Sequence, residues 1–227
     1  MYELNAEGFI YNAKTYKEEF QHLLHGLVAC YMIMMADNIE LSNNEIAIRD
    51  KLLEDYLHND DVRVSTGLLD FIFNKEVDED KTKGRADIKI EIKNRFRRTA
   101  AYYIIECKRL DNKNTLGISG LNAEYIKNGI YRFVNRLYST TCKINAMIGF
   151  VVEKMDIQSN IIEINLLSKT HFKEQTRMIQ EITQENFISG FNYHYSSTHN
   201  DRNDNEFTLF HLMFDVSECI KKEKACE

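Results

Sequence analysis

Two alternating runs, ADIKIEI (86–92) and AAYYIIECK (100–108), constrain this chain more than any other feature. A period of two marks strands with one apolar face, and the short polar segment KNRFRRT between them predicts an antiparallel hairpin. With the turn centred between Phe96 and Arg97, Ile88, Ile90 and Ile92 meet Ile105, Tyr103 and Ala101 on a consistently apolar face. The other face sets Asp87 opposite Glu106, Lys89 opposite Ile104 and Glu91 opposite Tyr102. Lys108, two residues beyond Glu106, projects from the same face as both carboxylates.

Around this hairpin the periodicity gives a coarse order of elements. Helical turns fit 13–35, and SNNEIAIRDKLLEDYLH predicts a helix from Ser42, with Ser42 and Glu45 at capping-box spacing. A strand follows over 68–77, then a polar break over 78–84 and the hairpin itself. A helix over 121–138 and a buried strand over 144–152 come next. The last third holds a helix-like part and two strands, FNYHYSS and FTLFHLMFDV. The order is α, β, β, β, α, β with additions at both ends. We expect an α/β fold in one domain of 227 residues, with a core over about 42–152 and a C-terminal extension over 153–227.

Composition excludes several classes. The 44 % hydrophobic and 28 % charged residues are those of a folded globular chain. The longest apolar run, 23–36, is 14 residues and too short to cross a bilayer, so no membrane partner is expected. The opening MYELNAEGF lacks the basic start of a secretory leader. The 5 cysteines form an odd, scattered set without CxxC, which suits a reduced, cytoplasmic protein.

The net charge of −6 argues against a polyanionic partner until its distribution is considered. Residues 81–143 hold 15 Lys and Arg against 5 Asp and Glu, whereas the remainder holds 14 against 30. A basic island inside an acidic chain is the footprint of a nucleic acid or an ordinary solvated surface.

The hairpin carries the chemistry. Two acids opposite each other are destabilising unless something compensates, and a divalent cation is the simplest compensation. A lysine beside such a metal can orient or deprotonate a water for in-line attack on a phosphodiester. Glu-x-Lys also occurs at 79–81 and 91–93, but only Glu106–Lys108 ends an apolar strand and faces an upstream aspartate.

GRAD at 84–87 and IIECK at 104–108, with 18 residues between Asp87 and Glu106, resemble the motif of the PD-(D/E)xK nuclease superfamily. Ala86 stands where many members have proline. The resemblance spans about 42–152 and implies a restriction-endonuclease-like core, a central mixed sheet flanked by helices. It implies a nuclease that hydrolyses DNA, with Mg²⁺ or Mn²⁺ held by Asp87 and Glu106 and water activated by Lys108. A glutamate from the first core helix often joins the metal, and Glu45 is the candidate, with Glu54 second. The alternative for Glu45 is a helix cap. Many relatives pair to cut both strands, which implies a homodimer.

Further contacts to DNA are expected from Arg95, Arg97 and Arg98 in the hairpin loop, and from Lys127, Arg132 and Arg136 on the next helix. Arg132 and Arg136, four apart, are expected on one helix face. The 7 histidines form no metal or nucleophile motif and read as structural, while Cys107 and Met32, Met34 and Met35 read as core. Two other readings remain open: a nuclease-like binding module whose chemistry has lapsed, and a subunit of a larger phage-defence complex that needs a protein partner.

Overall fold

A computed structural model describes residues 6–78, 85–93, 102–138 and 143–221, with side chains from residue 16 onward. Seven strands form one mixed sheet in the order β1-β2-β3-β4-β7-β6-β5, flanked by helices, an α/β architecture. The strands are β1 (Phe71–Asp78), β2 (Arg85–Ile92), β3 (Tyr102–Leu110), β4 (Ile144–Val151), β5 (Met178–Gln184), β6 (His194–Asn200) and β7 (Glu206–Asp215). β1, β2 and β3 run antiparallel, β3, β4 and β7 run parallel, and β7, β6 and β5 run antiparallel.

One face is covered by α1 (Ala6–Ala36) and α2 (Glu45–Leu52). In α1, Phe20, Leu23, Leu24, Leu27, Val28, Tyr31 and Met34 recur at helical spacing and are all buried. They pack with Ile48 and Leu52 of α2 against Ile88, Ile90, Tyr103, Ile105 and Cys107. Met32 points outward, 46 % exposed, contrary to its reading as core. Gly26 lets α1 approach the turn before β1, because a Cβ there would lie 2.3 Å from Leu68 Cδ2.

The other face is covered by α4 (Leu121–Tyr125) and α6 (Ile157–Thr170). α4 continues through a π-helical turn (Ile126–Ile130) into α5 (Tyr131–Val134). Ala123, Ile126, Ile130, Phe133 and Ile164 pack there against Ile104, Met147 and Leu209. α2 likewise continues through a π-helical turn (Leu53–Leu57), and the short helices α3 (Asp60–Thr66) and α7 (Lys173–Thr176) are the others among the described residues.

The elements differ from the sequence expectation in instructive places. α2 starts three residues later than Ser42, because Asn44 holds the extended cap conformation and accepts from the Ala47 N–H at 3.0 Å. Glu45 is therefore the first helical residue and not the far half of a capping box. α5 stops at Val134, short of the expected Tyr138. β5 lies where no strand was expected, and Leu68 sits in the turn before β1.

A buried polar chain fastens the second half of the sheet. Tyr125 bonds His211 Nδ1, His211 Nε2 bonds Ser197, Ser197 bonds His199 Nε2, and His199 Nδ1 bonds the Thr176 carbonyl, each at 2.7 Å. The carbonyl only accepts, so every hydrogen in the chain is assigned: each group donates toward Thr176. Burial holds His199 down to about 4 and His211 to about 3, so both rings are neutral. His22, His25 and His58 likewise bond backbone carbonyls, in keeping with a structural role. Among the described residues no helix is long and apolar enough to cross a membrane, and Cys30, Cys107 and Cys219 are free thiols.

Candidate active site

Among the described residues the β2–β3 ladder has the register the alternation predicts, Ile88↔Ile105, Lys89↔Ile104, Ile90↔Tyr103 and Glu91↔Tyr102, and it ends at Ile88; the expected Ile92–Ala101 pair lies outside the described residues. Beyond Ile88 the strands part. β2 stays with β1 as far as Asp78↔Arg85, and β3 stays with β4 from Ile105↔Ala146 onward. Asp87 and Glu106 flank the notch this opens, instead of facing each other across a closed ladder. Asp87 Oδ2 fills part of the gap by accepting from the Cys107 N–H at 2.8 Å, a bond that replaces a ladder bond.

Lys108 sits between three carboxylates. Its Nζ lies 3.0 Å from Glu45 Oε1, 2.8 Å from Glu106 Oε1 and 3.9 Å from Asp87 Oδ2, and it donates to the Cys107 carbonyl at 2.6 Å. Glu45 reaches the site because α2 packs over β3, and its other oxygen accepts from the Arg109 N–H at 3.1 Å. Its role as a helix cap is thereby excluded. Glu54 faces Lys75 instead and does not join the group.

Glu106 is the deepest member, 0 % exposed. Tyr138 donates to its Oε2 at 2.5 Å, and Arg132 Nη1 approaches Oε1 at 3.1 Å. Oε1 has two cations beside it but no aligned hydrogen bond. Burial, then the Asp87 charge, push the Glu106 carboxyl up to about 7, against the pull of Lys108 and Arg132. Burial disfavours the Lys108 charge, but Glu106, Asp87 and Glu45 outweigh it and raise its pKa above the ordinary lysine value. Lys108 is therefore an ammonium, a donor and not a base, in this arrangement. Cys107 points to the opposite, apolar face, where burial drives its thiol pKa well above normal. It is core, as its place in the alternation indicates.

Arg49, which the sequence reading passed over, is the second buried cation. It lies one helical turn after Glu45, with Nη1 3.0 Å from Asp87 Oδ1 and Nη2 2.8 Å from both Asp50 Oδ1 and Glu76 Oε1. Glu76 has φ +49°, and the β1–β2 ladder skips it, although Lys75↔Ile88 and Val77↔Ala86 keep one register on either side. The skipped position lies directly across from Asp87. A left-handed non-glycine residue inside a strand is strained, and here the strain accompanies a carboxylate on the guanidinium that holds Asp87.

The expected DNA-contacting cations separate. Arg132 turns into the site, where it also donates to Tyr138 at 2.8 Å, and it is 33 % exposed. Arg136 lies past the end of α5 with φ +56° and faces Asp201, so the two do not share a helix face. Lys127 pairs with Glu124. Arg95, Arg97 and Arg98 lie outside the described residues.

Among the described residues no three His, Cys, Asp or Glu side chains are set to hold a metal as they stand. Three carboxylates converge instead on an ammonium. Their chemistry suits a hard divalent ion: all donors are oxygen, and the buried Glu106 Oε1 already draws two cations, Lys108 and Arg132. No protein-family model, curated protein or solved structure matches this chain.

Proposed function

We propose that this chain is a metal-dependent nuclease, with a restriction-endonuclease-like core formed by α2, β1–β3, α4–α5 and β4, that hydrolyses phosphodiester bonds of DNA. The observation that carries the reading is the meeting of Glu45, Asp87, Glu106 and Lys108, from a helix and two strands, at the notch where β2 and β3 part. Asp87 and Glu106 would hold Mg²⁺ or Mn²⁺, with Glu45 assisting. Bound there, the ion would withdraw charge from the phosphate and supply a nucleophile at neutral pH.

The chain's own groups do the rest. Lys108, as an ammonium, orients the attacking water and offsets the charge that develops on the phosphate. Arg49 fixes the Asp87 carboxylate through Oδ1 while the Cys107 N–H fixes Oδ2. Arg49 and Lys108 are almost closed off, with side chains 3 % and 8 % exposed, whereas Arg132 reaches solvent beside Glu106. Arg132 is therefore the cation of the three that meets a phosphate oxygen first. Lys127, Arg136 and the loop cations Arg95, Arg97 and Arg98 would hold the flanking phosphates.

The test is cleavage of supercoiled, linear and single-stranded DNA with Mg²⁺, Mn²⁺ or EDTA, comparing the wild type with Lys108→Ala. Product that needs metal and falls by at least about 100-fold in the variant is expected. DNA left intact, yet bound equally by wild type and Asp87→Ala, would turn the reading to a nucleic-acid-binding module.

A further inference from the structure

The Lys108 ammonium occupies an all-oxygen cage. Glu45 Oε1, Glu106 Oε1 and the Cys107 carbonyl lie within 3.0 Å of Nζ, and Asp87 Oδ2 lies at 3.9 Å. These are the spacings of an ammonium. They are too wide for Mg²⁺, which draws its oxygens to about 2.0–2.1 Å. A divalent ion bonded to the same Glu45 and Glu106 oxygens would stand against Nζ, and two cations in one small buried cage repel strongly. The fully buried Glu106 keeps its charge only while a cation stands beside it, and Lys108 Nζ is that cation at 2.8 Å.

We infer that Lys108 is the resident counter-cation of the metal-free site: its ammonium holds the place among Glu45, Asp87 and Glu106 that a divalent ion takes, and metal enters as Lys108 withdraws. The inference rests on the metal-dependent reading above and adds a competition to it. The lysine that acts in catalysis also weakens metal binding, and its withdrawal moves it off the carboxylates and toward the water.

Calorimetric titration of Mn²⁺ and of Mg²⁺ into wild type, Lys108→Met and Lys108→Arg decides it. Lys108→Met, which keeps the stem and removes the charge, is expected to bind Mn²⁺ at least about tenfold more tightly than wild type while losing cleavage. Lys108→Arg is expected to bind no more tightly than wild type. Lys108→Met is also expected to melt below wild type without metal and to gain more from Mn²⁺. If Lys108→Met does not fold, the wild type carries the test, because the buried Lys108 ammonium resonance must move when Mg²⁺ saturates the site. Equal or weaker Mn²⁺ binding by folded Lys108→Met, or an ammonium resonance unmoved by saturating Mg²⁺, overturns the inference. Wild type that still binds metal and cleaves in that case keeps the nuclease reading, whereas wild type that binds neither ion removes both.

Discussion

Arg49 shows how a residue with no motif of its own can govern a site. Its guanidinium meets Asp50, Glu76 and Asp87, and its side chain is 3 % exposed. The carboxylates keep other partners without it, Asp50 with Lys75, Glu76 with Arg85 and Asp87 with the Cys107 N–H, so removing the buried cation costs about 1–3 kcal/mol, less than stranding an unpaired charge. Arg49→Met, which keeps the apolar stem, is therefore expected to lower the urea midpoint by that order. It should also weaken metal-dependent cleavage, because Asp87 loses the anchor on Oδ1. An unchanged midpoint would show that the carboxylates manage without it. One signal for Arg49 was present in the sequence: it follows Glu45 by four residues and so shares its helix face. Glu45 itself was ambiguous for a local reason. Ser42, Asn43 and Asn44 can each cap a helix, and only the backbone angles of Asn44 settle which one does. The strained Glu76 could not be read at all, since its left-handed conformation depends on partners on α2 and β2.

At the scale of elements, alternation gave the register of the four pairs from Ile88↔Ile105 to Glu91↔Tyr102, because a slip of one would have turned every isoleucine to the wrong face. It could not give the point where the ladder ends, which is set by β1 and β4 pulling the two strands apart. β5 escaped notice because MIQEITQ is an edge strand with only Ile182 buried. What secures it is Asn165 on α6, whose amide donates to the Ile182 carbonyl and accepts from its N–H, both at 2.9 Å. A side chain here takes the place of a neighbouring strand. Asn165→Ala should cost about 1–3 kcal/mol by leaving two backbone groups unmet. It should also raise self-association, because an uncovered edge pairs with other chains. Thermal denaturation and light scattering together check this, and a variant as stable and monodisperse as wild type would count against it.

At the scale of the whole molecule, the two neutral histidines tie stability to pH. Their folded values, about 4 and about 3, lie below the 6.5 of the open chain, so the unfolded state takes up protons first as the pH falls. Their contribution is constant above pH 6.5, declines steadily below it, and levels off beneath the folded values. Glu106, raised to about 7 from 4.5, acts in the opposite sense between those limits. Two groups oppose one, so the urea midpoint is expected to fall between pH 6.5 and 4.5, and a midpoint that rises over that range would contradict the assignment of hydrogens along the Tyr125–Thr176 chain. The parting of β2 and β3 has a mechanical meaning as well. Past Ile88 the strand that carries Asp87 is paired to β1 and the strand that carries Glu106 is paired to β4, so the two acids belong to different halves of the sheet, laced across the notch by the Asp87 bond to the Cys107 N–H. The width of the gap between two carboxylates is thus set by strand pairing outside the site, as the opening of a seam is set by the cloth on either side.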